Sequence, residues 1–380
     1  MAERPTVALF STNFLEYSQT FVYDELRHHT RYDAHVFCMR RMNEDAFPWP
    51  HVHVLEGAAS WLGRLDAAVC RTLTLSARRY RALARGDYAL LHAHFGPGAV
   101  YALPYARALD KPLVVTVHGY DVPVLASDRR FHPRFWRYAA AAPLLRATVR
   151  RWLAASTELA EMLVDLGMPS DRVFVHRLGV AIPEAEPATP QDPPFLLMVG
   201  RFVEKKGFVY GLRAFAKIAD SFPEVELHLI GGGALEGRLV ETAHALGIAG
   251  RVRFLGVRGH GEVLETMRRA YALIAPSVVA ANADRESGLI VVKEAAARGV
   301  PAVATWHGGI PEIVDDGQTG FLVPARNSSA IADRLRTLLS DRSLRDRLGR
   351  AARAKMKACY DLAQRVTALE RHYDDVLRGG

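Results

Sequence analysis

Short apolar, β-branched runs recur along this chain with longer helix-patterned stretches between them. That alternation restricts the fold to α/β architectures with parallel sheets, because parallel neighbours need a crossover long enough to hold a helix. "TVALFS", "AHVFCM", "LLHAHF", "LVVTVHG", "RWLAAS" and "VFVHRLG" form a first series of expected strands. "FLLMVGR", "VELHLIGGG", "VRFLG", "YALIAPS", "PAVATWH" and "GFLVP" form a second, with helical stretches such as "GFVYGLRAFAKIADSF" and "LEGRLVETAHALGI" between them. Proline and acidic residues concentrate in "IPEAEPATPQDPP", residues 182–194, which reads as an interdomain linker. The expected domains are therefore 1–185 and 186–359. The final helical stretch, about Leu344 to Leu377, is long enough to break in two and return residues 360–380 to the first domain. In open parallel sheets ligands sit beyond the carboxyl ends of the strands, so two such sheets facing one another imply a central cleft with the site in it.

With 380 residues, 49% of them hydrophobic, the chain can bury a core for each of two domains. The cysteines Cys38, Cys70 and Cys359 lie far apart and form neither a CxxC pair nor a disulfide framework, which fits a reducing, cytoplasmic setting. "MAERPTVALFSTN" lacks the apolar length of a signal peptide, and no run approaches a membrane-spanning length. The formal charge of +8 is uneven: Ser60 to Arg151 holds fifteen Lys or Arg against five Asp, an excess of ten. Solvated helix faces explain part of this. The rest points to an anionic surface, phospholipid headgroups or the phosphates of a lipid carrier, and so to peripheral attachment at the inner face of the membrane. No nucleic-acid-binding motif accompanies the basic region, so nucleic acid is not an expected partner.

In the second domain "GRFVEKKGF" puts Arg201 and Lys206 at a strand exit and a helix entry, where two cations and helix amides suit a diphosphate. A surface salt bridge with Glu204 is the plain alternative. The glycines of "HLIGGGALEGRL" fail the dinucleotide test, since a third glycine would have to stand at Glu236. "RESGLIVVKEAAARGVPAVAT" carries Glu286 and Glu294 in an otherwise small and apolar run, and a carboxylate there needs a partner because desolvating its charge is costly. The pattern predicts a helix from about Ser287 to Gly299, with Glu286 at its mouth, Glu294 in its second or third turn and free amides at Gly288, Leu289 and Ile290 for phosphate oxygens. On one ideal helix the two glutamates would sit about 80° apart and serve different parts of a ligand.

"VGRFVEKKG", "RVRFLG", "IAPS", "ESGLIVVKEAAARGVPAVAT" and "GGIPEIVDDGQTGFLV", in this order over most of residues 195–325, resemble the nucleotide-sugar domain of the retaining glycosyltransferases of family 4. The fold this implies is GT-B, two Rossmann-like parallel-sheet domains facing a central cleft. The resemblance implies that Arg201 and Lys206 bind the donor diphosphate, Glu294 the ribose hydroxyls and Glu286 the hydroxyls of the transferred sugar, while the loop starting at Val257 meets the base. Relatives often have glycine directly after the first glutamate; here Ser287 precedes Gly288.

In the first domain "LLHAHFGPG" and "PLVVTVHGYD" end strands with His92, His94 and His118. No Cys or acidic partner stands at a usual zinc-ligand spacing, so no metal is expected. "HAHFG" with "TVHGYD", and "EYSQTFV" near the start, resemble the acceptor domain of family-4 enzymes that build bacterial exopolysaccharides of the colanic-acid type. That resemblance places His118 at the reaction centre, hydrogen-bonding the donor sugar, and makes Ser18, Gln19, His94 and Asp121 acceptor-side candidates. His92 reads as a satisfied core histidine. Between Phe10 and Val22 the glycine-rich first loop of many relatives is missing.

The expected activity is transfer of a hexose, with retention, from a UDP- or GDP-sugar to a hydroxyl of a glycan or lipid-linked acceptor. Front-face displacement would let the leaving phosphate help take the acceptor proton. No Asp-x-Asp triplet occurs, and no cofactor beyond the donor is expected. Two rivals are a nucleotide-sugar 2-epimerase on the same fold, which needs no acceptor, and a nucleotide-sugar-binding protein without turnover.

Overall fold

The structure is a computed structural model that describes every residue except 1–3, 17–18, 57–59, 188 and 380. The chain divides into two units, Met1–Arg177 with Ala363–Gly380, and Leu178–Leu362.

The first unit is built on seven parallel strands, β1 (Thr6–Phe14), β2 (Asp33–Arg41), β3 (Val52–Val54), β4 (Tyr88–His94), β5 (Leu113–Val117), β6 (Val149–Ala154) and β7 (Val173–Val175), in the order β3-β2-β1-β4-β5-β6-β7. All five residues of β5 are buried, the pattern of a central strand covered on both faces. The edge strand β3 is missing from the sequence-derived series: three residues of "VHV" at a sheet edge give no readable period.

The second unit carries six parallel strands, β8 (Phe195–Val199), β9 (Glu226–Ile230), β10 (Val252–Phe254), β11 (Ala272–Ala275), β12 (Ala302–Thr305) and β13 (Gly320–Val323), in the order β10-β9-β8-β11-β12-β13. Each fell within a run expected to be a strand. Two parallel Rossmann-like sheets with interleaved helices make this an α/β chain of the GT-B type. Strand order reverses between β1 and β4 in one sheet and between β8 and β11 in the other, and ligands of such sheets bind beyond the carboxyl ends at that switch.

The last helical stretch is two helices, Arg342–Cys359 and Leu362–Arg378. The second packs Leu369, Tyr373 and Val376 against Val7, Leu90, Val114 and Leu153 of the first sheet. Glu370 on the same helix is fully buried and accepts from the Thr30 amide at 2.7 Å, the Arg31 amide at 2.8 Å and the Thr30 hydroxyl at 3.0 Å. The division between units falls at Arg177, ahead of the expected 185, for a visible reason. Lys293 Nζ donates to the Leu178 carbonyl at 2.9 Å, Val180 exchanges backbone bonds with Tyr360 and Leu362, and Arg353 donates to the carbonyls of Pro183 and Ala185 at 2.7 Å each. The start of the proline-rich stretch is thus bonded to the second unit.

Candidate functional site

In the second unit the turn after β8 holds the cations. Gly200 leads to Arg201, which is exposed, and a short 3-10 helix, Glu204–Lys206, carries Lys205 and Lys206 inward. This turn passes very close to its neighbours. Gly207 has φ 64°, and a Cβ there would stand 1.9 Å from the Pro276 carbonyl oxygen; one on Gly231 would stand 1.9 Å from the Gly200 carbonyl oxygen.

Glu286 meets those cations. Its side chain is buried, with Lys206 Nζ 3.1 Å from one carboxylate oxygen and Lys205 Nζ 3.5 Å from the other. Burial alone would raise its pKa, but Lys206, Lys205 and then Arg201 outweigh it and hold the group at about 2. The Glu286 amide donates to His307 Nε2 at 3.1 Å, so that ring nitrogen is unprotonated. Burial depresses His307 to about 4, which keeps the ring neutral. Lys205 also donates to Asp284 at 3.2 Å and to the Arg285 carbonyl at 3.4 Å. Glu204 accepts from the Ala281 amide at 3.1 Å and, among the described residues, is not salt-bridged to Arg201 or Lys206.

The helix after Glu286 starts later than expected. It spans Ile290–Ala297 with Leu289 as its N-cap at φ −32°, ψ 84°, because the Glu286–His307 bond holds the chain ahead of it in a loop. Glu286 therefore stands four residues before the helix, and the 80° relation does not apply. Gly288 and Leu289 precede the first turn, so of the three expected amides Ile290 alone belongs to it. The helix stops where Gly299 takes φ 72°, as its sequence position suggested. Glu294, in the second turn, is buried and takes its bond from His260 Nε2 at 2.6 Å, whereas Lys293 is turned the other way over the Tyr360 ring. Val257 is exposed, and a Cβ on Gly232 would lie 3.1 Å from it, so it stands beside the exit of β9.

In the first unit β4 and β5 end in the histidines. His94 Nδ1 lies 3.0 Å from His118 Nε2, and its Nε2 lies 3.3 Å from the buried Glu25 Oε1. Burial pushes the Glu25 carboxyl up, but His94 draws it below the usual carboxylate range overall. Burial, with His94 next, pushes His118 well below the usual imidazole value, so that ring is neutral near pH 7. Its Nδ1 is buried and without a hydrogen-bond partner among the described residues, as is Gln19 Oε1 at the cap of the helix Thr20–Arg27. Phe21 and Phe95 flank the His118 ring at centroid distances of 4.8 and 4.5 Å.

One expectation changes here, and the reading of His92 holds. Asp121 is fully buried and spends its carboxylate on backbone amides: Gly96 at 3.0 Å, Gly119 at 3.0 Å and His118 at 3.2 Å. It ties the β4 exit to the β5 exit rather than offering oxygens to an acceptor. His92 bonds the Tyr373 hydroxyl and the Thr116 hydroxyl at 2.7 Å each, a satisfied core histidine. Glu25, His92 and His94 offer atoms within 4.8 Å of one another, but with both His92 nitrogens engaged the set does not suit a metal ion. Ser18 lies outside the described residues.

Lys205, His260, His307 and Glu25 were not singled out from sequence. Lys205 is adjacent to Lys206 in "EKK" and was legible. The other three depend on segments distant in the chain meeting in space.

Residues 183–355 match the family model described as glycosyl transferases group 1, and residues 19–182 match glycosyltransferase family 4. The chain belongs to the family-4 glycosyltransferases. It is 28% identical over 251 residues to a protein of Escherichia coli K12 named as a colanic acid biosynthesis glycosyltransferase, WcaL. That match covers 64% of this chain and 59% of the relative, so the chain spans about three fifths of that relative's length. It is 26% identical over 313 residues, 80% of each chain, to the N-acetyl-alpha-D-glucosaminyl L-malate synthase of Bacillus anthracis. Among solved structures, Anabaena Alr3699/HepE in complex with UDP and glucose superposes with a TM-score of 0.76 at 19% identity, over 98% of this chain and all of that one.

Proposed function

We propose that this family-4 chain transfers a hexosyl group, with retention, from a UDP- or GDP-sugar to a hydroxyl of a glycan or lipid-linked acceptor in polysaccharide or glycolipid biosynthesis. The observation that carries the reading is Glu286, buried and ionised against Lys205 and Lys206 at the carboxyl edge of β8 and β11. A carboxylate held there can accept from vicinal sugar hydroxyls, while Lys206 and Arg201 take the negative charge of the leaving diphosphate. Removal of one hydrogen-bond donor aimed at developing negative charge typically costs about 3–4 kcal/mol. The Ile290 amide adds a donor at the helix mouth.

Glu294, oriented by His260, serves the ribose hydroxyls, and the strip at Val257 meets the base. His118 bonds the sugar through Nδ1, and Gln19 lies on the acceptor side with His94 behind His118. The UDP- and glucose-bound fold neighbour and the exopolysaccharide relative support a nucleotide-sugar donor and a polysaccharide setting. Front-face displacement, with the leaving phosphate helping to take the acceptor proton, needs neither a metal ion nor a carboxylate nucleophile.

The test is the product. With the donor found by screening, proton NMR of the glycoside should show the anomeric configuration of the donor retained. An inverted product would overturn the mechanism, and an isomerised nucleotide sugar formed without acceptor would replace transfer by epimerisation.

A further inference from the structure

Away from both sites, the first unit has an apolar surface that no part of the proposed transfer uses. The helix Trp61–Leu73 buries Ala67 and Cys70 against Met39 and Leu55. On its outer side Trp61, Leu65, Val69 and Leu73, spaced four residues apart in one row, are 69%, 54%, 38% and 62% exposed. Such a row is an unusual display of large apolar groups to water. Beside it opens a cavity of about 1090 Å³ between this helix, the helix Ala77–Arg85 and the Pro104 to Ala108 end of a third, lined by Leu62, Leu65, Val69, Leu75 and Tyr80 among others.

The charge at this surface has one sign. From Ser60 to Arg85 the chain carries six arginines and one aspartate. Of the arginines Arg79 is buried, and Arg71 pairs with Glu56 at 3.3 Å. Arg78 and Arg81 line the cavity, are exposed and make no ion pair among the described residues, and Arg85 lies one turn further along. Asp66 is already used, accepting from the Ser76 hydroxyl and from the Ala77 amide at 2.8 Å. A site with apolar floor, unpaired guanidiniums and no available carboxylate complements hydrocarbon capped by phosphate. It does not complement a protein surface of mixed charge. The helix is also formed in advance, since Ser60 caps it by accepting from the Gly63 amide at 3.1 Å.

We infer that the row Trp61-Leu65-Val69-Leu73, with the adjoining cavity and Arg78 and Arg81, is a docking surface for an anionic phospholipid bilayer, the helix lying in the interface and the cavity admitting hydrocarbon. This deepens the membrane-proximal part of the proposed function, yet it stands on lipid binding alone and can fail while sugar transfer holds.

The test is flotation of the full chain with vesicles of phosphatidylcholine, with and without 30% phosphatidylglycerol, at about 0.1 M and 0.5 M salt. The expected result is binding to the anionic vesicles at the lower salt, reduced at least ten-fold in Leu65→Ser with Val69→Ser and in Arg78→Ala with Arg81→Ala. These side chains are solvent-exposed, and circular dichroism should show both variants folded. Quenching of tryptophan fluorescence by brominated lipid should be present in the wild type and largely absent in Trp61→Phe. No binding to either vesicle, binding that the two double variants leave unchanged, or a lipid-free dimer abolished by Leu65→Ser with Val69→Ser would each overturn the inference.

Discussion

His94 Nδ1 sits 3.0 Å from His118 Nε2 with the two rings within 6° of parallel, and the far nitrogen of His94 faces the Glu25 carboxylate at 3.3 Å. The direction of hydrogen bonding along this row follows from its end. The 3.3 Å approach of His94 Nε2 to Glu25 Oε1 is an ion-pair contact rather than a formed hydrogen bond, and an ionised Glu25, which can only accept, favours a proton on His94 Nε2. With that proton on Nε2 and His94 Nδ1 accepting from His118 Nε2–H, the unpartnered His118 Nδ1 is left with a lone pair. Glu25, two side chains from His118 Nδ1, thereby bears on whether that nitrogen offers a lone pair or a proton.

Glu25→Gln removes the end that fixes this order. Nitrogen-15 NMR of the imidazoles should show His118 Nδ1 unprotonated in the wild type and a tautomer mixture in the variant. Turnover should fall about ten-fold or more with the donor KM changed less, the mark of an orientation effect. Identical imidazole spectra would contradict the relay.

Lys206→Ala leaves Glu286 buried with Lys205 as its one remaining ion-pair partner and Arg201 acting from further off. Loss of one partner of a buried pair commonly costs about 3–5 kcal/mol, so the variant should lose stability as well as donor affinity. Isothermal calorimetry with the productive donor should show binding weakened at least ten-fold, and the pKa of Glu286 should move up. Unchanged affinity would remove Lys206 from the diphosphate site.

His260→Ala frees Glu294, which keeps its position in the helix Ile290–Ala297 but loses the 2.6 Å bond that orients it. Donor binding should weaken by up to about 1.5–3 kcal/mol, the worth of a hydrogen bond to a charged group, and binding of the free nucleotide should weaken equally. An effect on the sugar nucleotide but not on the nucleotide would move Glu294 from the ribose to the sugar.

Glu370 gives a pH dependence of stability. Burial would raise its pKa, but His29 and then the Arg31 and Thr30 amides bring it to about 2, below the unfolded value near 4.5. A depressed carboxylate stabilises the fold fully above its unfolded pKa, and that stability is lost as pH falls towards 2. The shift corresponds to about 3 kcal/mol. Urea unfolding from pH 7 to pH 3 should show wild type and Glu370→Gln converging as the pH drops, and parallel curves would contradict the assignment.

Much of this was legible in sequence, and the reasons differ by residue. Strands β8, β11, β12 and β13 are buried on both faces or nearly so, and such strands write themselves as apolar runs between turn residues. β3 is too short and too near the edge to do so. The positions of Glu286 and Lys206 followed from local pattern and resemblance. Their pairing did not, nor did His260 against Glu294 or Glu25 behind His94, because each joins elements distant in the chain. The helix at Glu286 was expected from Ser287 on residue pattern alone, and a tertiary bond to His307 moved its start to Ile290. Asp121 shows the opposite case: resemblance made it an acceptor-side candidate, and in the structure it is buried and accepts from three amides.

The most direct measurement is release of nucleotide from a panel of UDP- and GDP-sugars by the purified chain, with wild type and Glu286→Gln compared and slow hydrolysis used in the absence of acceptor. The account predicts release from one donor, reduced at least a hundred-fold in Glu286→Gln while the variant stays folded. Release that persists at the wild-type rate in Glu286→Gln would contradict the central claim, that this buried, lysine-held carboxylate engages the transferred sugar.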